Sequence, residues 1–301
     1  MRYGVPYKGG KNTIAVWVVE QLPPAEVFVD LFAGGCAVTH AAMLSGKYQR
    51  FIANDMTDAP SVFLAATEGE FRDFATVLDR EQFQECDDMA LKLMYSFGNN
   101  CKDYLWSAEL EGVKVNASRM LSAPSMHERR MAYKRFLSAL RAYIEQTGTL
   151  PDDAAHDGSL ESLERLQSLE RLQSLERLQS LESLERLTVK QLDYRCVEIP
   201  KGTCVYADPP YRGTNCGHYG GFDVDAFDAW LACVPFPVYV SEYTCPAGCV
   251  EIANTQKTVT SAATQTTTTT ERLFVQERFA DDYYTAMREA NPTLFDGLDD
   301  V

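Results

Sequence analysis

The 301-residue sequence predicts an α/β fold: an open parallel sheet flanked by helices, with an inserted, mainly helical region. Three observations carry this. Residues 25–58 read as strand, turn, helix, strand. Two further β-rich runs, 204–208 and 236–241, are separated by a helix-like segment. A long stretch from about 60 to 190 is richer in helix formers and interrupts the alternation.

The elements follow in order. Residues 26–31 (Glu-Val-Phe-Val-Asp-Leu) are an apolar β-rich run that ends in the small-residue turn Ala33-Gly34-Gly35. Residues 37–44 are helical in composition, and 51–55 (Phe-Ile-Ala-Asn-Asp) form a second short strand, completing a βαβ pattern. Cys204-Val-Tyr-Ala-Asp208 is a third strand, stopped by two prolines. A helix-like segment at 225–232 precedes a fourth strand, 236–241. In the tail, β-rich runs at 258–260 and 272–278 predict a closing hairpin joined by a threonine-rich linker that includes 266–270.

Residues 159–187 are of low complexity, with leucine at every third position in the hexamer Ser-Leu-Glu-Arg-Leu-Gln. At 100° per residue, a spacing of three drifts 60° per leucine. The stripe therefore wraps around the rod and suits neither an amphipathic helix nor a coiled coil. An expanded tandem repeat in a length-tolerant loop, without a catalytic role, is the expectation.

With 46% hydrophobic residues the chain can build a sizeable core. No apolar run reaches the ~18–20 residues needed to cross a bilayer, and the first residues lack the apolar core of a signal peptide. A cytoplasmic protein without membrane association, monomeric in solution, is expected. Nine cysteines are scattered without a CxxC pair. The Cys245-Pro-Ala-Gly-Cys249 segment, with Cys216 and His218, matches no common zinc spacing, so no metal is expected. A net charge of −15 opposes phosphate binding by the chain as a whole. Locally, however, Lys114, Arg119, Arg129, Arg130, Lys134, Arg135 and Arg141 face only Glu128. This stripe reads either as a nucleic-acid surface or as a solvated helix face.

Three motifs carry chemistry. Asp208-Pro209-Pro210-Tyr211 has a chance frequency of roughly 0.002 in a chain of this length, and it stands at a strand's carboxyl end, where open α/β sheets bind ligands. A carboxylate and a carbonyl held rigid by prolines can each accept one N–H of an exocyclic amine, favouring the pyramidal form that attacks an electrophile. Asp208 and the Pro209 carbonyl would be those acceptors, and Tyr211 would stack on the base. Phe28-Val-Asp-Leu-Phe-Ala-Gly-Gly35 is a glycine turn that lets a ligand approach the backbone. Asp55, 20 residues after Gly35, is placed to bind ribose hydroxyls. The full GxGxxG is missing, which favours a nucleoside over a dinucleotide. Pro6-Tyr-Lys-Gly-Gly-Lys11 is not a phosphate-binding P-loop, because its glycine spacing is wrong and Asn12 follows the lysine.

Taken together, these motifs resemble the Dam-like (D12 class) DNA adenine-N6 methyltransferases. That family shows an aromatic–x–Gly–x–Lys element, an Asp-x-Phe-x-Gly-Gly turn, an Asn-Asp strand end, a recognition insertion and then Asp-Pro-Pro-Tyr, in that order. The resemblance covers roughly 1–60 and 188–280, and the middle is divergent. It implies a Rossmann-like sheet that binds S-adenosylmethionine, formed by 1–59 and 188–301, with a mainly helical target-recognition insertion at 60–158. It further implies cofactor contacts from Tyr7, Lys11, Asp30, Phe32, Ala33, Gly34, Gly35, Asp55 and the Asp193-Tyr194 pair. Tyr219 is a candidate at the target or the cofactor, or an ordinary surface tyrosine. Double-stranded DNA would dock on Lys114, Arg119, Arg129, Arg130, Lys134 and Arg135, with the adenine flipped out of the stack. Where relatives that read GATC carry an Arg-His-Gly-type segment, this chain has Ser96-Phe-Gly-Asn-Asn-Cys-Lys102, so the recognition sequence does not transfer. Cytosine-N4 methylation is the nearest alternative, and a catalytically silent DNA-binding or interaction protein is the alternative from another class.

Overall fold

The computed structural model describes residues 3–70, 76–151, 186–212, 221–260 and 266–291, with backbone alone at 257–260 and 266–267. Most of the leucine repeat and Tyr219 lie outside the described residues. The chain forms two compact units, one of Met1–Gly4, Gly10–Ser61 and Ser180–Val301, the other of Val5–Gly9 and Val62–Gln179.

Its strands are β1 (Val27–Asp30), β2 (Arg50–Asn54), β3 (Leu187–Lys190), β4 (Thr203–Ala207), β5 (Val238–Glu242), β6 (Cys249–Thr260) and β7 (Thr266–Gln276). The helices are α1 (Ala15–Gln21), α2 (Ala37–Ser45), α3 (Ala59–Thr67), α4 (Arg80–Glu85), α5 (Met89–Met94), α6 (Ala108–Leu121), α7 (Met126–Thr147), α8 (Val224–Cys233) and α9 (Ala280–Ala290).

In the first unit, seven strands make one sheet in the order β3-β2-β1-β4-β5-β7-β6. Strands β1 to β5 are mutually parallel, and β7 runs antiparallel to both β5 and β6. Strand β1 is buried at every position, as a central parallel strand covered on both faces must be. On one face Val27, Val29, Val205, Val238 and Val240 pack with Phe227 and Leu231 of α8, together with Phe32 and Tyr194. Burying a side chain such as Phe227 or Leu231 contributes about 2 kcal/mol. Asn54 locks the ends of three strands: its amide donates to the carbonyls of Leu31 and Leu192, and its Oδ1 accepts from Leu192 N, each at 3.0 Å.

The predicted hairpin is present but far longer than expected. Residues 266–270, read as a linker, are the first half of β7, and β6 begins at Cys249. Threonine is β-branched and suits a pleated strand, so the threonine run extends the ladder with β6 and is not its connection. Strand β3, α1 and α9 were not anticipated. Leu187, the last leucine of the repeat, is the first residue of β3.

Gly4 sits where only glycine fits. Its φ is +63°, and a Cβ would stand 2.1 Å from the Gly35 carbonyl oxygen. Gly4 N also donates to Nδ1 of buried His40 on α2, at 3.0 Å. The N-terminus thereby packs directly on the glycine turn.

In the second unit, α6 and α7 pack through Val113, Ala117 and Phe136. A second cluster joins the rings of Phe83, Tyr104, Trp106 and Tyr95. Asp79 starts α4 with a capping box, accepting from Gln82 N while the Gln82 side chain accepts from Asp79 N, both at 3.0 Å.

Candidate active site

Strand order reverses between β1 and β4: the chain winds outward from β1 through β2 to β3, then returns to β4 on the other side. Crevices at such switch points, outside the carboxyl ends of the strands, are where open α/β sheets bind ligands. Asp30 ends β1 and pairs in register with Tyr206, two residues before Asp208. The sheet thus places two acids at one edge.

Asp208 forms an ion pair with Lys11, Oδ1 to Nζ at 2.8 Å, and Lys11 Nζ also lies 3.5 Å from Oε1 of Glu271. Glu271 is fully buried and its Oε1 accepts a hydrogen bond from the Tyr211 hydroxyl. The Lys11 ammonium stands over the Tyr211 ring, 4.5 Å from its centroid, and Tyr243 meets that ring edge-on at 4.5 Å. Burial pushes the Lys11 pKa down, but Asp208 and then Glu271 more than compensate and hold it above its ordinary value. Burial raises the Asp208 carboxyl, with Lys11 pulling it back. Pro209 is buried and Pro210 half-buried. Both line a small cleft with Arg212, Phe222 and Glu242. An Arg212–Asp228 ion pair at 2.6 Å supports the segment from α8.

The glycine turn is held by Asp55. Its Oδ2 accepts from Gly34 N at 2.8 Å, and its Oδ1 accepts from the Thr57 backbone and hydroxyl at 2.8 and 2.7 Å. Asp55 therefore shapes the turn, and a ligand hydroxyl would have to share an already occupied carboxylate. Asp30 differs. Its Oδ2 accepts from Thr39 at 2.9 Å, while its buried Oδ1 has no hydrogen-bond partner. Burial, tempered by that hydrogen bond, pushes its pKa up to about 7. A buried carboxylate oxygen without a partner is costly, and this one lies beside the turn that Ala33, Gly34 and Gly35 form.

The remaining expected residues divide. Phe32 and Tyr194 meet ring to ring at 5.3 Å within an aromatic cluster completed by Phe222, Phe227 and Trp230. Asp193 caps the short turn it starts and pairs with Arg195 at 2.7 Å. Tyr7 is half-buried and belongs to the second unit. Of the basic stripe, Arg129, Arg130, Lys134, Arg135 and Arg141 are exposed on α7. Lys114 is buried on α6, at 8% exposure. Arg119 is engaged by Asp79 at 3.3 Å. Glu271 was missed altogether. The available signal was its phase: Glu271, Leu273 and Val275 alternate on one face of β7 and are all fully buried.

Comparison with known families bears on the first part of the chain. Residues 7–102 match the family model of D12 class N6 adenine-specific DNA methyltransferases. The enzyme this implies is an adenine-N6 DNA methyltransferase, with DNA as its substrate. The D12 class match takes in Lys11, Asp30, the glycine turn and Asp55. It continues through Ser96–Lys102, beyond residue 60, where the resemblance was expected to fade. It does not include Asp193, Tyr194 or Asp208–Tyr211. No curated protein matches the chain. The mostly parallel seven-stranded sheet is compatible with a methyltransferase fold. Among the described residues, no group of His, Cys, Asp or Glu is arranged to hold a metal ion, and no helix is long and apolar enough to cross a membrane.

Proposed function

We propose that the chain transfers a methyl group from S-adenosylmethionine to N6 of an adenine flipped out of duplex DNA, with Asp208 and the Pro209 carbonyl as the acceptors that orient the amine. The observation that carries this is Asp208 at the switch-point edge of the sheet, ion-paired to Lys11 from the segment that matches the D12 class.

Enzymes of this class generally use S-adenosylmethionine, and the residues present suit it. The cofactor would supply an electrophilic methyl group on a sulfonium. The partnerless Asp30 Oδ1 is a site for the positively charged amino group of its methionine portion. The turn at Ala33–Gly35 gives close backbone approach, and Asp55 would share its carboxylate with the ribose. Asp193 and Tyr194 would border the nucleoside. Methyl transfer to N6 would leave positive charge on that nitrogen. Asp208 would stabilise that charge and accept the proton N6 then sheds. Positioning and fixed acceptors account for the acceleration, without a covalent enzyme intermediate.

Residues 60–158 would form the target-recognition region. On α7 the spacing of Arg130, Lys134 and Arg141 puts them within an arc of roughly 40°, opposite the buried Ala132 and Phe136. That face would hold phosphates.

Incubation with labelled cofactor and unmethylated DNA, followed by digestion to nucleosides, should give N6-methyladenine. Methylcytosine, or no product, would overturn the proposal. Asp208→Ala should keep cofactor binding and lose methyl transfer.

A further inference from the structure

Lys11 borders the place that the methyl-transfer reading gives to the target adenine. Its ammonium is 2.8 Å from Asp208 Oδ1 and lies over the Tyr211 ring, 4.5 Å from its centroid. On that reading, a base that takes Asp208 and stacks on Tyr211 displaces it. Moving a buried cation to a place without an anion is costly. The structure holds one such anion ready. Glu271 Oε1 is already 3.5 Å from Lys11 Nζ, and Glu271 Oε2 is buried without a hydrogen-bond partner. Strand β7 is antiparallel, and this brings its early residues to the same edge as the carboxyl ends of β4 and β5.

We propose that Glu271 is a positioning residue that receives Lys11 when the target amine takes Asp208; this rests on the methyl-transfer reading above. In the free enzyme, Lys11 satisfies Asp208 and keeps it charged. When the base enters, Lys11 swings across to Glu271, which releases the acceptor oxygen and the ring face together. Glu271 also holds the Tyr211 hydroxyl, so the ring stays in place while its cationic cover leaves.

The test compares wild type, Glu271→Gln, Glu271→Asp, Lys11→Met and the Lys11→Met/Glu271→Gln double variant, all full length. The readouts are S-adenosylmethionine affinity, single-turnover methylation of duplex DNA against pH, and the fluorescence of 2-aminopurine placed next to the target adenine. Glu271→Gln should bind the cofactor like wild type and flip the base less. Its methyl transfer should fall on the order of tenfold or more, with a displaced acid limb in the pH profile. The losses from Lys11→Met and Glu271→Gln should be non-additive. Glu271→Asp keeps the charge on a shorter arm and should recover part of the rate. If Glu271→Gln does not fold, Glu271→Asp carries the test through a reduced rate at unchanged cofactor affinity. A wild-type rate and pH profile in the folded Glu271 variants, or strictly additive losses, would overturn the hand-over while leaving the methyltransferase reading intact. A wild-type enzyme that makes no methyladenine would overturn both.

Discussion

Replacing Asp30 by asparagine should make the cofactor-free protein more stable at pH 8 and less able to bind its cofactor. Burial raises this carboxyl from its ordinary 3.8 to about 7. Between those values the folded state keeps a proton that the unfolded chain has released, so stability from this group falls as pH rises and levels off above 7. Integrated over that window, the penalty is roughly 4 kcal/mol at most. Asparagine has no charge to bury, and its Oδ1 can still accept from Thr39. Its amide replaces the partnerless oxygen and is itself left unsatisfied, which costs about 1–3 kcal/mol. The variant should therefore gain about 1–3 kcal/mol at pH 8 and lose that advantage towards pH 4. Urea unfolding at half-unit steps from pH 4.5 to 8, analysed as the difference between variant and wild type, isolates Asp30 from the other carboxylates. Cofactor affinity should fall, because a neutral amide cannot pair with an ammonium. Parallel stability curves, or a variant less stable than wild type at pH 8, would refute the assignment of a strained, waiting carboxylate.

Other perturbations test other parts. Gly4→Ala forces a Cβ into the Gly35 carbonyl at a positive φ; it should cost roughly 2 kcal/mol or more in thermal or urea unfolding and weaken cofactor binding through the turn. Asn54→Ala removes a buried amide that makes three hydrogen bonds and should cost about 2–3 kcal/mol by urea unfolding. Replacing Arg130, Lys134 and Arg141 with serine should weaken duplex binding. It should also lower the slope of log affinity against log salt by about 3; an unchanged slope would move the docking surface elsewhere.

Four of the five parallel strands were legible because each is a short apolar run closed by a turn signal, and because both the glycine turn and the Asp-Pro-Pro-Tyr motif announce strand ends. Observed and expected bounds for β1, β2, β4 and β5 differ by one or two residues at each end. What escaped was set by long-range pairing. The threonine run has no apolar alternation of its own and becomes a strand only by pairing with β6. Leu187–Lys190 is too short to declare itself beside the repeat. Glu271 read as one polar residue beside a polar linker, because its two-residue phase with Leu273 and Val275 counts only once β7 is known to pass the site in antiparallel pairing with β5. A charge count along the chain, likewise, does not separate buried Lys114 on α6 from the exposed basic residues of α7.

The arrangement of charge at this edge also has a direction. In the proposed reaction positive charge would build up at N6, beside Asp208. A carboxylate there favours the transition state over the ground state, which is the condition for acceleration as opposed to mere affinity. Lys11 works against this while it remains 2.8 Å from that carboxylate, since its field opposes a second positive charge at the same place. Transfer of Lys11 to Glu271 would remove most of that opposition at the moment the base is seated. The ion pair that stabilises the free site would then be broken only by the correct occupant. A flipped base able to donate to Asp208 and stack on Tyr211 compensates for displacing Lys11, and one that does neither leaves the ammonium in place. On this reasoning Lys11 and Glu271 together couple base recognition to rate, and substitution of either should reduce discrimination between adenine and a base lacking the exocyclic amine.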